Sequence, residues 1–522
     1  MKNKENNNNF YLQLLLNVGD ILLCFCTTLV LLPPTLILLG GMFVVKKLLE
    51  LYLLYKFKGR YKLLALQDAV CSVDFEKCSS KYSFCGLVRT SQAQLLLEKL
   101  QTATALQVST GNFRKMGYRL TTQFGFPCWE DVSTNFDVRE HVKIYPQVEG
   151  RETSISENEL MSLISMKMNA LGKEKERPDW EILLIPQVKT KGENGEPSQF
   201  VVAILFVLNH GYMDTNCAIQ FLQKTLLGED ARASFSLAEM NNKPSSSKEN
   251  SNSHFLQPLK TLLFGPSYLL KLMFSNKRSI LHESCMDDSW TTFMGRSKYR
   301  ITTSSMNKIR VAFNCQTKSV MIFAFLSALE KIAERKRNSI PDAVNVAFTH
   351  AMLPYPPNPE PQNRFSALVK RLPMMTTKNT HDHLSEIDEL IQINESSEFE
   401  IASLYWGCKI LGLLPIWLCR LIRSSSVMFP IGVTIATGSE HKVKIQNVME
   451  VESFFGIPPM MDGTQYLIAF ANYGGRLTIS FRVGKTPLIQ SQHDFQILAT
   501  EFDNCLKDLE REANNLNVIK ST

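Results

Sequence analysis

Phe200-Val-Val-Ala-Ile-Leu-Phe-Val-Leu208 is an uninterrupted apolar run that stops abruptly at Asn209-His210-Gly211. A short apolar run closed by turn residues reads as a buried strand. Asp214 follows His210 by four residues, and helical periodicity begins at Thr215 and continues to Leu227. Of the nine histidines, only His210 has an aspartate four residues on. Neutral imidazole at the mouth of a buried strand is suited to accept a proton as a general base. The fold must therefore deliver a strand, a tight turn carrying a histidine, and a helix, in that order.

At 522 residues the chain exceeds one ordinary core, so two domains and an appendage are expected. The net charge of +7 is diffuse, and no Lys/Arg stripe with interleaved aromatics points to nucleic acid. The twelve cysteines are scattered without a Cys-x-x-Cys pair. That spacing argues against a zinc site and for reduced thiols in a cytosol-facing protein.

Ile21 to Val45 carries no charge, and Lys46, Lys47, Lys56, Lys58, Arg60 and Lys62 follow it, with Asp20 on its other side. A run of that length reaches across a bilayer, and the positive flank places the bulk of the chain in the cytosol. Pro33-Pro34 allows either a kinked single span or a hairpin, with the single span preferred. Membrane attachment is expected, at the endoplasmic reticulum or plasma membrane.

The remainder reads as two α/β halves. In the first, Tyr82–Thr90 has strand composition, Gln92–Leu106 is helical, Phe136–Tyr145 alternates like a strand, Asn158–Leu171 is helical, and Ile182–Pro186 leads to the His210 strand. His141 and Trp180 are read as structural, His141 on a half-exposed strand and Trp180 in the core. Met240–Ser253 is a polar, low-complexity linker. Phe255–Phe274 is either an interfacial segment or a packed crossover. In the second half, Ile309–Phe313 reads as a strand, Ser319–Arg335 as a helix, and Val344–Met352 and Asn363–Leu372 as strands. Glu386–Asn394 is helical, and Ala402–Ile422 is an apolar helix, core rather than interfacial. Gln465–Val483 forms a hairpin turning at Gly474-Gly475, and His493–Ala513 is the last helix. The expected divisions are 1–62 for the anchor, 63–235 for the first subdomain, 236–299 for linker and interfacial segment, and 300–522 for the second subdomain.

Read in order, these pieces resemble the wax ester synthase/diacylglycerol acyltransferase family of CoA-dependent acyltransferases. Leu66-Gln67-Asp68-Ala69 is similar to the family's Leu-Asp-Ala opening. Phe136-Asp137 through His141-Val142 is similar to its Phe-Asp-x-x-x-His-Val element, and Arg177-Pro178-Asp179-Trp180-Glu181 to its Arg-Pro-Leu-Trp-Glu. Asn209-His210 through Asp214-Thr215 falls where the family carries His-His-x-x-x-Asp-Gly. Asn472 through Leu477 resembles its late Ser-Tyr-x-Gly-x-Leu hairpin. The departures are Asn209 for the first histidine, Thr215 for the glycine, Lys318-Ser319 for the family's Asn-Asp pair, and Thr434–Glu440 for its Ser-Asn-Val-Pro-Gly-Pro segment.

The resemblance implies two chloramphenicol-acetyltransferase-like mixed-sheet subdomains around a central channel, to which the Ile21–Val45 run adds an N-terminal membrane helix or hairpin. It implies a membrane-bound O-acyltransferase using acyl-CoA as co-substrate, with no further cofactor and no metal. The acceptor is a lipid hydroxyl, either diacylglycerol or a long-chain alcohol, and the product is triacylglycerol or wax ester. His210 is the expected base. Asp214 is the expected structural partner, which its spacing also fits as an N-cap for the following helix. The alternatives are a lapsed relative that binds acyl-CoA or lipid, or scaffolds at the membrane, without turnover, and an enzyme acting on a polar small-molecule acceptor.

Overall fold

The computed structural model describes residues 30, 33–73, 80–146, 154–170, 177–190, 199–227, 253–274, 279–283, 292–352, 360–374, 379–393, 395–425, 429–445, 449–460 and 463–521. Most of the 240–253 linker and residues 353–359 of the proline-rich loop lie outside these.

Gln199–Asn209 is the central strand of a seven-stranded sheet, antiparallel to Lys81–Val88 on one side and to Trp180–Thr190 on the other. Its side chains divide by the period-two rule. Ile204, Phe206 and Leu208 enter a core with Leu96 and Leu100 of the Ala93–Ser109 helix and Phe221 of Thr215–Leu227. Ala203, Leu205 and Val207 enter a second core with Leu160, Ile164 and Met168 of the Glu157–Ala170 helix. Apolar layers on both faces explain why this strand is continuously apolar rather than alternating.

A six-stranded sheet organises the second half in the order Phe365–Pro373, Ala343–Ala351, Ile431–Thr437, Tyr466–Tyr473, Arg476–Gly484, Thr292–Arg296. The helices Thr303–Phe313, Thr317–Arg335 and Gln492–Ser521 contribute to its core. Tyr466–Tyr473 and Arg476–Gly484 form the expected hairpin. Gly474 and Gly475 have φ of 60° and 72°, a left-handed turn that glycine adopts without a Cβ clash.

The two halves exchange chain. Met449–Ile457, late in the sequence, pairs antiparallel with Lys81–Val88 in the first sheet. Thr292–Arg296, inside the 236–299 stretch, is an edge strand of the second sheet. Pairing with strands far away in sequence leaves no local signal, so neither placement follows from composition.

Three elements differ from the sequence reading. Ile309–Phe313 is the end of a helix that starts at Thr303, capped by the Thr302 hydroxyl accepting from Ser305 N–H. Its short apolar run is the buried helical face, not a strand. Within Phe136–Tyr145, Val138–His141 is one helical turn capped by Asp137, and only Val142–Ile144 is strand. Ala402–Ile422 is split into Glu395–Leu411 and Ile416–Ser425, with the break at 412–415.

At the N-terminus, the described part of the Ile21–Val45 run belongs to a helix over 33–57, and residues 21–29, 31 and 32 lie outside the described residues. None of residues 33–45 is buried, whereas Lys46 and Leu53 are. The Lys46 ammonium donates to the carbonyls of Leu64 at 3.3 Å and Gly412 at 3.0 Å, which docks the helix on the body. No single helix among the described residues is long and apolar enough to cross a membrane. Ser253–Phe274 is a packed crossover: Leu272 is buried with Ala347, Val369 and Leu404.

Candidate functional site

His210 sits where the central strand leaves the first sheet, at the seam between the halves. Its N–H donates to Ser80 O at 3.1 Å, and its ring lies 5.0 Å from Tyr82 and stacks on Phe365 at 5.3 Å. One aromatic neighbour thus comes from each half. The residue is 7% exposed, and Nδ1 has no hydrogen-bond partner among the described residues. Burial pulls its pKa below the ordinary histidine value, with the Asp214 carboxylate opposing. The imidazole is therefore neutral near pH 7, the form that accepts a proton.

The turn around it is tightly specified. Asn209 is fully buried: its Nδ2 donates to Ser80 Oγ at 3.1 Å and its Oδ1 accepts from Gly211 N–H at 2.8 Å. The side chain that departs from the family pattern therefore braces the turn. Gly211 packs on the Leu66–Ser72 helix so closely that a Cβ would lie 2.5 Å from Ser72 Cβ, so no side chain fits. Asp214 Oδ1 accepts from Cys217 N–H at 3.0 Å, which is the N-cap geometry, and Oδ2 accepts from Arg364 N–H at 2.8 Å. This carboxylate joins its own helix to a loop of the other half.

Beneath the turn lies a polar cluster that sequence reading missed. Lys115 Nζ is 2.7 Å from Asp68 Oδ2 and donates to the carbonyls of Gly211, Tyr212 and Pro361 at 3.3, 2.8 and 2.9 Å. It also lies 4.8 Å from the Trp129 ring centroid. Asp68 Oδ1 accepts from the backbone and side-chain amides of Asn363, whose Nδ2 also donates to His210 O at 2.8 Å. Four chain segments distant in sequence converge there, and no local motif marks Lys115 or Asn363.

His210 and Asp214 line a cavity of about 600 Å³ between the halves. Tyr82 and Phe84 come from the first sheet, Ala347, Gly432 and Thr434 from the second, and Leu404, Cys408 and Ile422 from the helices over it. The lining is dominated by apolar side chains, with His350 and Gln67 among the polar ones. Volume and lining are those of a small-molecule site, an apolar cavity with a few placed polar groups.

The remaining sequence candidates are structural. His141 is 1% exposed rather than half-exposed, stacked at 4.5 Å on Trp180 and donating from Nδ1 to Trp180 O at 2.8 Å. Burial lowers its pKa to about 4. Trp180 is fully buried, and its indole N–H donates to Met116 O at 2.7 Å. Ser319, at the position of the family's Asn-Asp pair, donates to Asp388 at 2.5 Å, and Lys318 Nζ donates to Ile391 O at 3.2 Å. Those two residues tie helices together. The eight described cysteines are free thiols.

No family profile and no curated protein sequence matches the chain. Solved structures do match in shape. The wax ester synthase/diacylglycerol acyltransferase of Marinobacter aquaeolei VT8 aligns with a TM-score of 0.55 at 14% identity, covering 87% of this chain and 100% of that one. The TRI3 trichothecene 15-O-acetyltransferase of Fusarium sporotrichioides gives 0.54 at 13% identity, covering 86% and 96%. The condensation domain of the monacolin K polyketide synthase MokA gives 0.52 at 7%, covering 86% and 97%. The chain is thus built on the two-domain fold of the CoA-dependent acyltransferases and condensation domains, with the His210 turn at the seam between its halves.

Proposed function

We propose that the protein is an acyl-CoA-dependent O-acyltransferase that esterifies a lipid hydroxyl, diacylglycerol or a long-chain alcohol, at a cytosol-facing membrane surface. One observation carries the reading: a neutral, buried histidine opens into a large apolar cavity walled by both halves. An alcohol has a pKa far above 7, so its attack on a thioester needs a base within hydrogen-bond reach. The imidazole of His210 takes the hydroxyl proton as the oxygen bonds to the thioester carbonyl carbon. The carbon–sulfur bond then breaks, and the CoA thiolate leaves with the proton returned from the imidazolium. Asp214, Lys115, Asp68 and Asn363 hold the loop, because geometric precision at the base is worth orders of magnitude in rate.

Acyl-CoA enters as co-substrate. The membrane surface supports the reading physically, since acceptor and product both partition into lipid. The test is incubation of the membrane fraction with labelled acyl-CoA and a panel of long-chain alcohols, diacylglycerol and sterol. Ester formed with a lipid acceptor supports the proposal. Acyl-CoA bound without ester from any acceptor assigns the chain to a relative that binds without turnover.

A further inference from the structure

Large apolar side chains gather on one outer face. Trp406 is 53% exposed, Trp417 64%, Leu421 60% and Phe124 67%, and Leu48, Leu51 and Tyr55 of the 33–57 helix stand equally open. The elements that carry them adjoin one another. Tyr52 packs edge-on to Phe124 at 5.7 Å, Gly125 O accepts from Ile416 N–H at 2.8 Å, and Lys46 bonds to Gly412 O. A patch of this kind on a folded chain marks a partner surface.

Three features select that partner. First, cations fringe the patch: Lys47, Lys56 and Arg420 are exposed, and Lys409 Nζ lies 4.9 Å over Trp406. Glu50 is the acid nearest in the 33–57 helix and is paired with Lys47 at 2.7 Å. Glu398 and Glu400 lie at the far end of the Glu395–Leu411 helix, about 9 Å or more along the axis from Trp406. Tryptophan beside lysine and arginine is the composition of an anionic lipid interface, whereas protein interfaces are depleted in lysine. Second, residues 33–45 form an uncharged helical stretch about 20 Å long with no buried residue, and a helix apolar all round is matched by lipid rather than by one protein face. Third, the same helices wall the cavity: Leu404, Cys408 and Ile422 face it, while Trp406, Trp417 and Leu421 face outward. One layer of helix separates this surface from the space that His210 lines.

We propose that this face seats the protein on an anionic phospholipid bilayer, and that the helices Glu395–Leu411 and Ile416–Ser425 form the wall through which lipid passes between bilayer and cavity. The passage rests on the acyl-transfer reading; the seating does not. The full-length protein carrying Trp290→Phe is incorporated into phosphatidylcholine/phosphatidylglycerol vesicles with brominated acyl chains, and its fluorescence is measured. Trp129 and Trp180 are buried in the first half, so quenching is expected to report Trp406 and Trp417 and to be lost on adding Trp406→Phe and Trp417→Phe. No quenching, or quenching unchanged by those two substitutions, overturns the seating; absent quenching with a concentration-dependent dimer in detergent gives the face to a second copy instead. For the passage, Trp406→Glu/Trp417→Glu is expected to lose about tenfold or more of turnover on a vesicle-embedded lipid acceptor, equivalent to one 1.4 kcal/mol step, while keeping turnover of a short-chain soluble alcohol. Equal loss on both acceptors, or none on either, overturns it. A parent protein that esterifies neither acceptor removes the acyl-transfer reading and the passage with it, while quenching still decides the seating.

Discussion

Lys115→Met removes the hub under the His210 turn and keeps much of the side chain's length. The Lys115 side chain is 13% exposed and that of Asp68 5%, so the pair is screened little by water. Breaking a buried ion pair by deleting one partner costs about 3–5 kcal/mol, because the other charge stays buried. Asp68 keeps two amide donors from Asn363 at 2.8 and 2.9 Å, which places the loss near the lower end, roughly 3 kcal/mol. The carbonyls of Gly211, Tyr212 and Pro361 lose their shared donor at the same time. Urea unfolding of the wild type, Lys115→Met, Asp68→Asn and the double variant forms a cycle. The double variant should be less damaged than the sum of the singles by about 1–3 kcal/mol. Turnover should fall on the order of 10²-fold in Lys115→Met through displacement of the His210 loop. Additive stabilities, or a single-variant loss within the roughly 0.5 kcal/mol typical of surface substitutions, would refute the reasoning.

Other perturbations follow from the same geometry. Gly211→Ala forces a Cβ to 2.5 Å from Ser72 Cβ and should cost about 1–3 kcal/mol with a fall in turnover, checked by thermal unfolding and initial rates. Asp214→Ala loses the N-cap and the Arg364 tie, about 1–2 kcal/mol, and should lower the rate and move the acid limb of the pH–rate profile to lower pH, because the carboxylate that opposes burial at His210 is gone; thermal unfolding and a pH–rate profile check both. His141 is held neutral in the fold, with its pKa lowered to about 4 from 6.5. Its stabilising share is thus complete above pH 6.5 and lost as pH falls from 6.5 to 4, a difference of about 3 kcal/mol. Urea midpoints of His141→Phe and wild type should therefore converge, or change order, on acidification through that range; parallel curves would contradict the assignment.

The features legible in the sequence are those written in adjacent residues. The His210 turn, the Thr215–Leu227 helix and the Gly474-Gly475 hairpin each pair a local period with a local stop signal, and each stands where expected. Ile309–Phe313 was misleading because a few apolar residues fit a strand and a helix face alike; the Thr302 cap ahead of the run was the deciding signal. Ala402–Ile422 is apolar on nearly all faces because one side lines the cavity and another forms the open aromatic surface, a division invisible without the fold. The Lys115–Asp68–Asn363 cluster joins residues up to 295 apart in sequence, so only Asp68, inside the Leu66–Ala69 motif, is marked locally and its partners are not. The same holds for Met449–Ile457 crossing into the first sheet.

The central claim is that His210 is the base for acyl transfer. The decisive measurement is the rate of ester formation from labelled acyl-CoA, wild type against His210→Ala, with unfolding curves confirming that both are folded. The account predicts a loss of about 10²–10⁴-fold, the usual contribution of a positioned general base. An unchanged rate in a folded His210→Ala protein would contradict it.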